Sequence, residues 1–150
     1  MSIKIKHVTK LYGTQQAVND ISFEVSNGQI VGFLGPNGAG KSTTMKMITG
    51  YIQPDSGIIE VAGMEVRGES IETKKKIGYL PEHNPLYLEM YVREYLHMIG
   101  SLHQVNDVKK RMEEVIELAG LNKEAHKQIS QLSKGFRQRV GLAAAIIHDP

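Results

Sequence analysis

Apolar and polar residues alternate along two segments near the start of the chain. The first segment runs from Ser2 to Val8 and alternates isoleucine with lysine, and the second runs from Ile21 to Val25. Successive side chains of a strand point to opposite faces, so a period of two predicts half-buried antiparallel strands. The Asn27-Gly28 pair that follows predicts a tight turn.

Two short runs are apolar without alternation, at Gln29–Leu34 and Ile77–Leu80. Continuous apolar runs are typical of strands buried on both faces, as in a parallel sheet, so both runs are predicted to be core strands. Pro81 ends the second run. A further β segment is predicted over Gly57–Val66, interrupted at Ala62-Gly63.

Helical periodicity dominates the rest of the chain. A helix is predicted from Lys41 to Gly50, and a last one from Gly135 to Ile147. Between them, apolar residues spaced by three and four predict an amphipathic helical pair. Its apolar positions are Val92, Tyr95, Leu96, Ile99, Leu102, Val108, Met112, Val115, Ile116 and Ala119. Asn106 or Asp107 is expected to cap the second helix and Gly120 to close it, while its charged face is expected to be solvated.

Composition narrows the class of protein. A chain of 150 residues with 41% hydrophobic content can bury one core, so residues 1–150 are predicted to form one domain. The net charge of +2 comes from interspersed residues, which argues against nucleic-acid binding. No apolar run approaches the roughly 18 to 20 residues that span a bilayer. Together with the lack of cysteine, this predicts a cytoplasmic protein.

One stretch carries a specific chemical prediction, because it matches the pattern G-x-x-x-x-G-K-[ST]. Glycines let such a loop wrap an anion with its backbone N–H groups, and the following helix adds its positive end. The lysine reaches the β- and γ-phosphates of a nucleotide, and the serine hydroxyl binds Mg²⁺. The predicted phosphate-binding residues are Gly35, Pro36, Asn37, Gly38, Ala39, Gly40, Lys41, Ser42 and Thr43.

A second motif, from Leu132 to Val140, reads Leu-Ser-Lys-Gly-Phe-Arg-Gln-Arg-Val. It resembles the Leu-Ser-Gly-Gly-Gln signature of ABC transporter ATPase subunits, and with the phosphate loop the chain resembles that family from end to end. The resemblance implies an α/β fold with a RecA-like P-loop NTPase core. It also implies an N-terminal antiparallel β subdomain and an α-helical subdomain at about 84–140, with the C-terminal part missing.

The resemblance also implies roles for individual residues. Tyr12 stands where the family has an aromatic residue that stacks on adenine, and Ala17 and Val18 stand where residues line the ribose. Ser133 and Gly135 would face the γ-phosphate of a nucleotide bound to a second subunit. The expected cofactors are therefore ATP and Mg²⁺, and the expected assembly is a head-to-tail dimer.

Several positions depart from the family pattern. Ile77–Glu82 resembles the strand that leads into the Q-loop, but Glu82 replaces the glutamine. A carboxylate is a hard oxygen ligand, so Glu82 is predicted to face Mg²⁺ or the attacking water, although it adds a negative charge beside the phosphates. Lys134 and Phe136 differ from the residues that the family's signature has at the corresponding positions. This combination resembles export-type subunits, a branch that includes gliding-motility ATPases.

Pro85–Tyr91 lies where the family receives a coupling helix of a membrane permease, which implies a location on the cytoplasmic side of the inner membrane. The chain ends at Pro150, before the family's Walker B strand. It is therefore expected to bind ATP but to hydrolyse it poorly.

Three alternatives stay open. A GTPase would need an aspartate after Asn122-Lys123, where Ala125 stands. A soluble ABC ATPase of translation or DNA repair would have no membrane partner. A non-catalytic ATP-binding regulator would fit Glu82 and the altered signature.

Overall fold

Four antiparallel strands form the sheet of the N-terminal unit. The computed structural model describes residues 2–68 and 71–150, and the chain divides into the units Met1–Ile77 and Gly78–Pro150. The strands are β1 (Ile3–Tyr12), β2 (Gln15–Val25), β3 (Ser56–Val61) and β4 (Met64–Glu65), in the order β2-β1-β3-β4. The unit also contains the helices α1 (Lys41–Ile48) and α2 (Ile71–Lys74).

The alternation predicted for the first two strands is confirmed. Ile5 pairs with Phe23 of β2 and with Ile59 of β3, and its side chain is buried. The apolar face of the sheet packs with Met47 and Ile48 of α1 into one core. Burial of one face of an antiparallel sheet explains the period of two, because the other face remains in contact with water.

The predicted turns are also present. Gly28 has a φ of 76°, and Gln29 N–H donates to the carbonyl of Ser26 at 3.3 Å. Between β3 and β4, Ala62 and Gly63 have φ values of 52° and 77°. Two successive residues with positive φ make the tight hairpin turn that matches the twist of the strands.

Neither predicted core strand forms, so that prediction is wrong for both Gln29–Leu34 and Ile77–Leu80. The side chains of Ile30 and Leu34 are almost fully exposed. A parallel strand is stable only between neighbours that take up its backbone hydrogen bonds. The described residues supply no such neighbour to either run.

The second unit is helical. Its elements are α3 (Val92–Leu102), α4 (Val108–Leu118), a short 3₁₀ helix (Ile129–Gln131) and α5 (Lys134–Ile146). The predicted amphipathic pair is confirmed, and Asp107 rather than Asn106 caps α4 by accepting from Lys110 N–H at 3.2 Å. Gly120 follows α4 with a φ of 63°.

The core of this unit combines the apolar faces of the helices with the loop that follows α4. Its fully buried members include Val92, Leu96, Val115, Ile116, Leu121, Ile129, Val140 and Ile147. Among the described residues, no helix is both long and apolar enough to span a membrane.

Candidate nucleotide-binding site

The phosphate loop is shaped by two glycines that adopt left-handed backbone angles. Gly38 has a φ of 85° and Gly40, the residue before α1, has a φ of 82°. Side chains disfavour this region, so glycine is the residue that fits. At Gly40 a Cβ would also collide with the carbonyl oxygen of Ala17 and lie 3.0 Å from Val18 Cγ2. The loop therefore rests directly on β2.

Lys41 folds back across the loop. Its Nζ donates to the carbonyl oxygens of Gly35 and Pro36, at 2.7 Å each. An ammonium group gains more from anionic oxygens than from neutral carbonyls, because the opposite charges attract each other directly. The ammonium thus lies at the edge of the loop, with partners that phosphate oxygens could replace.

The start of α1 presents the features of an anion site. Its first turn contains no acidic side chain, and Ser42 is exposed there. The orphan N–H groups and the helix dipole favour an anion at this end. Thr44 is buried and its Oγ1 donates to the carbonyl of Gly40 at 3.0 Å, which ties the helix to the loop. The sequence motif alone does not include Thr44.

Two further predicted site residues lie in the same unit. Tyr12 ends β1 with its side chain half-exposed, and Lys10 Nζ lies 5.9 Å from the centre of its ring. Val18 is only 5% exposed and packs beneath Gly40. Val18 therefore presents little surface of its own and shapes the loop from below, whereas Ala17 is partly exposed.

The sequence did not predict an ion pair that lies beside Tyr12, between Lys10 and Asp55. Asp55 accepts from Leu11 N–H at 2.6 Å and from Lys10 Nζ at 3.1 Å. The hydrogen bond from Leu11 N–H, together with Lys10, holds the pKa of the Asp55 carboxyl below its usual value. No sequence pattern announced this contact, since Lys10 and Asp55 are 45 positions apart and meet only through the β1–β3 pairing.

The motif Leu132–Val140, which resembles the ABC signature, contains the N-terminus of α5 in the second unit. Ser133 is its N-cap, with Oγ accepting from Phe136 N–H at 3.4 Å, and Gly135 is exposed in the first turn. Arg137 reaches back to the carbonyls of Ile129 and Ser130, at 3.2 and 2.7 Å. The positive end of the helix dipole is thereby presented at a fixed, exposed position.

Glu82 also belongs to the second unit. Its carbonyl accepts from Gln138 Nε2 at 3.1 Å, and its side chain is exposed. Gly141 lets this segment approach α5, because a Cβ there would collide with Asn84 and Leu80. No group of three or more His, Cys, Asp or Glu side chains that could hold a metal ion occurs in residues 2–68 and 71–150.

The segment Pro85–Tyr91 is divided between core and surface. Leu86 and Met90 pack against the helical core, while Tyr87 and Leu88 are exposed. Beside it, α3 and α4 border an open cleft of about 840 Å³, whose lining combines three methionines (Met90, Met98 and Met112) with six charged or histidine side chains. Arg93 and Glu113 form an ion pair at its edge, which lowers the pKa of Glu113.

Comparison with known proteins identifies the family to which the chain belongs. The profile of the ABC transporter family matches residues 18–150. The chain belongs to the ABC transporter family. Among members of this family, the linearmycin resistance ATP-binding protein LnrL of Bacillus subtilis (strain 168) is 38% identical over 150 residues. That match covers 99% of this chain and 48% of LnrL.

Two more ABC transporter proteins give a similar match. The bacitracin transport ATP-binding protein BcrA of Bacillus licheniformis is 38% identical, over 99% of this chain and 48% of its own. The Nod factor export ATP-binding protein I of Rhizobium meliloti (strain 1021) is 38% identical, over 100% of this chain and 45% of its own. The chain thus spans about half the length of the curated relatives it matches.

Solved ABC transporter structures share the fold. The structure of an ATP-binding subunit superimposes with a TM-score of 0.88 at 27% identity, covering 100% of this chain and 63% of the other. The dimeric structure of MJ0796, described as a bacterial ABC transporter cassette, gives 0.86 at 26% identity, with 99% and 70% covered. Both agree with the α/β P-loop fold predicted from the sequence.

Proposed function

We propose that this chain is the nucleotide-binding part of an ATP-binding subunit, which binds Mg-ATP and drives export through a membrane permease. The observation that carries the proposal is the loop from Gly35 to Gly40, closed over β2 and followed by α1, with Lys41 across it. ATP turnover is proposed for the full-length subunit.

Lys41 is proposed to act on the phosphates. It would exchange the carbonyls of Gly35 and Pro36 for β- and γ-phosphate oxygens and stabilise the charge that develops during phosphoryl transfer. Ser42 is proposed to bind Mg²⁺ with its exposed hydroxyl. Glu82 is proposed as a second oxygen ligand or as a partner of the attacking water, since hard cations prefer carboxylate and hydroxyl oxygens.

Tyr12 is proposed to stack on adenine, for which its half-exposed ring is suitable. Every base has a π-face, so stacking gives affinity with little selection among bases. Val18, with Ala17, is proposed to border the ribose, and because Val18 is buried its contribution would come through the shape of the loop.

Ser133 and Gly135 are proposed to meet the nucleotide of a second subunit. The exposed N-terminus of α5 supports this, since it favours a phosphate. The dimer reported for MJ0796 supports a two-subunit assembly. Ser133 and Gly135 of each subunit would contact the nucleotide bound to the other subunit, which gives the head-to-tail arrangement.

A permease is the proposed membrane partner, and the cytoplasmic face of the inner membrane is the proposed location. Exposed Tyr87 and Leu88, next to the cleft lined in part by three methionines, support a docking role because such side chains suit an apolar partner surface. The names of the bacitracin and Nod factor relatives support transport, and the latter supports export. The cargo would be selected by the permease.

Calorimetric titration of the 150-residue chain with Mg-ATP tests the nucleotide site. We expect saturable binding that falls at least about tenfold in Lys41→Ala, because a charge-assisted contact contributes on the order of 1.5–3 kcal/mol. Lys46→Ala is the matched control, since Lys46 is an exposed lysine in the last turn of the same helix. Equal affinities in the wild type and Lys41→Ala would contradict the proposed site. Mg-GTP is expected to bind with comparable affinity.

A further inference from the structure

On its β3 side, the end of β1 is held in place by a single aspartate, Asp55. Asp55 lies just before β3 and reaches Leu11 N–H with one oxygen and Lys10 Nζ with the other. Its own N–H donates to the carbonyl of Thr9 at 2.9 Å. Three consecutive residues of β1 are therefore bound to this one position, directly before Tyr12.

This arrangement replaces hydrogen bonds that the sheet does not provide. The last registered pair between β1 and β3 is Thr9 with Ser56, so residues 10–12 have no β3 partner in the ladder. On their other side β1 pairs with β2 at shifted register, with irregularities on both sides of Lys10. A register irregularity disrupts the ladder locally and bends the strand, so a contact on the β3 side adds to what fixes the course of this strand end.

The same ion pair also reaches the tyrosine ring. Lys10 Nζ lies 3.1 Å from Asp55 Oδ1 and 5.9 Å from the centre of the Tyr12 ring. The Lys10 side chain is only 16% exposed, so it is held rather than free in solution. A cation within about 6 Å of a ring is attracted to its face. Lys10 thus links Asp55 to the orientation of Tyr12.

We propose that Asp55 is a positioning residue for nucleotide binding: through Leu11 N–H and Lys10 it fixes the end of β1 and orients the Tyr12 ring to stack on the base. This inference rests on the proposed function, because it requires that Tyr12 contacts the base. Asp55 itself touches no nucleotide, and its effect on binding is exerted entirely through Tyr12.

The test is a double-mutant cycle on the 150-residue chain, with Mg-ATP and inorganic tripolyphosphate as the two calorimetric probes. We expect Asp55→Ala to weaken ATP binding about three- to tenfold and to leave tripolyphosphate binding unchanged, because only the base contact is lost. In a Tyr12→Ala background, Asp55→Ala should have no further effect on ATP. Unchanged tripolyphosphate binding also shows that the loop and the sheet remain folded.

Glu60→Ala is the matched control. Glu60 pairs with Lys6 at 3.4 Å across the same two strands, and in the described part of the chain it forms no ion pair with residues 10–12. It is expected to leave both affinities unchanged. Asp55→Asn, which keeps an acceptor for Leu11 N–H but loses the charge, should fall between the wild type and Asp55→Ala.

The outcomes separate the inference from the function on which it rests. If Tyr12→Ala weakens ATP binding but Asp55→Ala does not, the positioning role is overturned and the nucleotide site stands. The same holds if Asp55→Ala weakens ATP equally in the Tyr12→Ala background, or weakens tripolyphosphate as well. If the wild type binds no ATP, or if Tyr12→Ala binds ATP as the wild type does, the proposed stacking fails and the inference fails with it.

Discussion

At the scale of single residues, the phosphate loop depends on its glycines, which have no side chain, as much as on Lys41 and Ser42. Gly40 is the clearest case, since its positive φ and its contact with the Ala17 carbonyl both exclude a Cβ. The motif predicted glycine here for its flexibility. The structure adds a packing reason, because the loop lies directly against β2.

Gly40→Ala is therefore expected to impair nucleotide binding. The backbone strain alone costs on the order of 1–3 kcal/mol, and the collision with β2 adds to it, so Mg-ATP affinity should fall at least about tenfold by calorimetry. Gly28→Ala is the control, because Gly28 has a φ of 76° but open space around it. It should lower thermal stability through the same backbone strain and leave affinity unchanged; similar affinity losses in both variants would count against the packing explanation.

At the scale of secondary-structure elements, local pattern was sufficient for the longer elements that bury one face within the described residues, but it did not predict the short α2 or the 3₁₀ helix Ile129–Gln131. The alternation of Ile3–Val8 and the helical spacing of Val92–Leu102 each predicted an element that the structure contains. Pattern failed for Gln29–Leu34 and Ile77–Leu80, because a parallel strand depends on neighbours distant in sequence. The Asp55 contact was missed for the same reason, since it depends on strand pairing.

The cap of α4 gives a test at this scale. The sequence left Asn106 and Asp107 as alternatives, and the structure selects Asp107, whose side chain accepts from Lys110 N–H while its φ is 49°. Asp107→Ala should lower the free energy of unfolding by about 0.5–2 kcal/mol in urea titrations followed by circular dichroism. Asn106→Ala and Asp107→Asn should both stay close to the wild type, the second because asparagine caps and tolerates left-handed angles equally well. A larger loss for Asn106→Ala would show that the cap is misassigned.

At the scale of the whole molecule, the two units carry different parts of the proposed function. The N-terminal unit contains the phosphate loop and Tyr12, and the second unit contains Glu82 and the α5 N-terminus with Ser133. The match of the ABC transporter family over residues 18–150 shows the family of the chain. Membership in this family supports the proposed function more strongly than any single contact in the structure does. Ser133 is proposed to contact the nucleotide of a second copy of the chain and not that of its own chain. This leads to a prediction about assembly.

Ser133→Arg should therefore separate nucleotide binding from dimerisation. We expect the wild-type chain to form a dimer in sedimentation experiments only at high protein concentration with Mg-ATP. The variant should remain monomeric while binding Mg-ATP with unchanged affinity, because a bulky side chain at the α5 N-terminus blocks the approach of a second subunit and Ser133 is not proposed to contact the nucleotide of its own chain. Ser101→Arg, at an exposed serine in the last turn of α3, is the control and should dimerise normally. Loss of ATP affinity in monomeric Ser133→Arg would mean that Ser133 acts on its own nucleotide, and an ATP-dependent dimer of that variant would remove Ser133 from the interface.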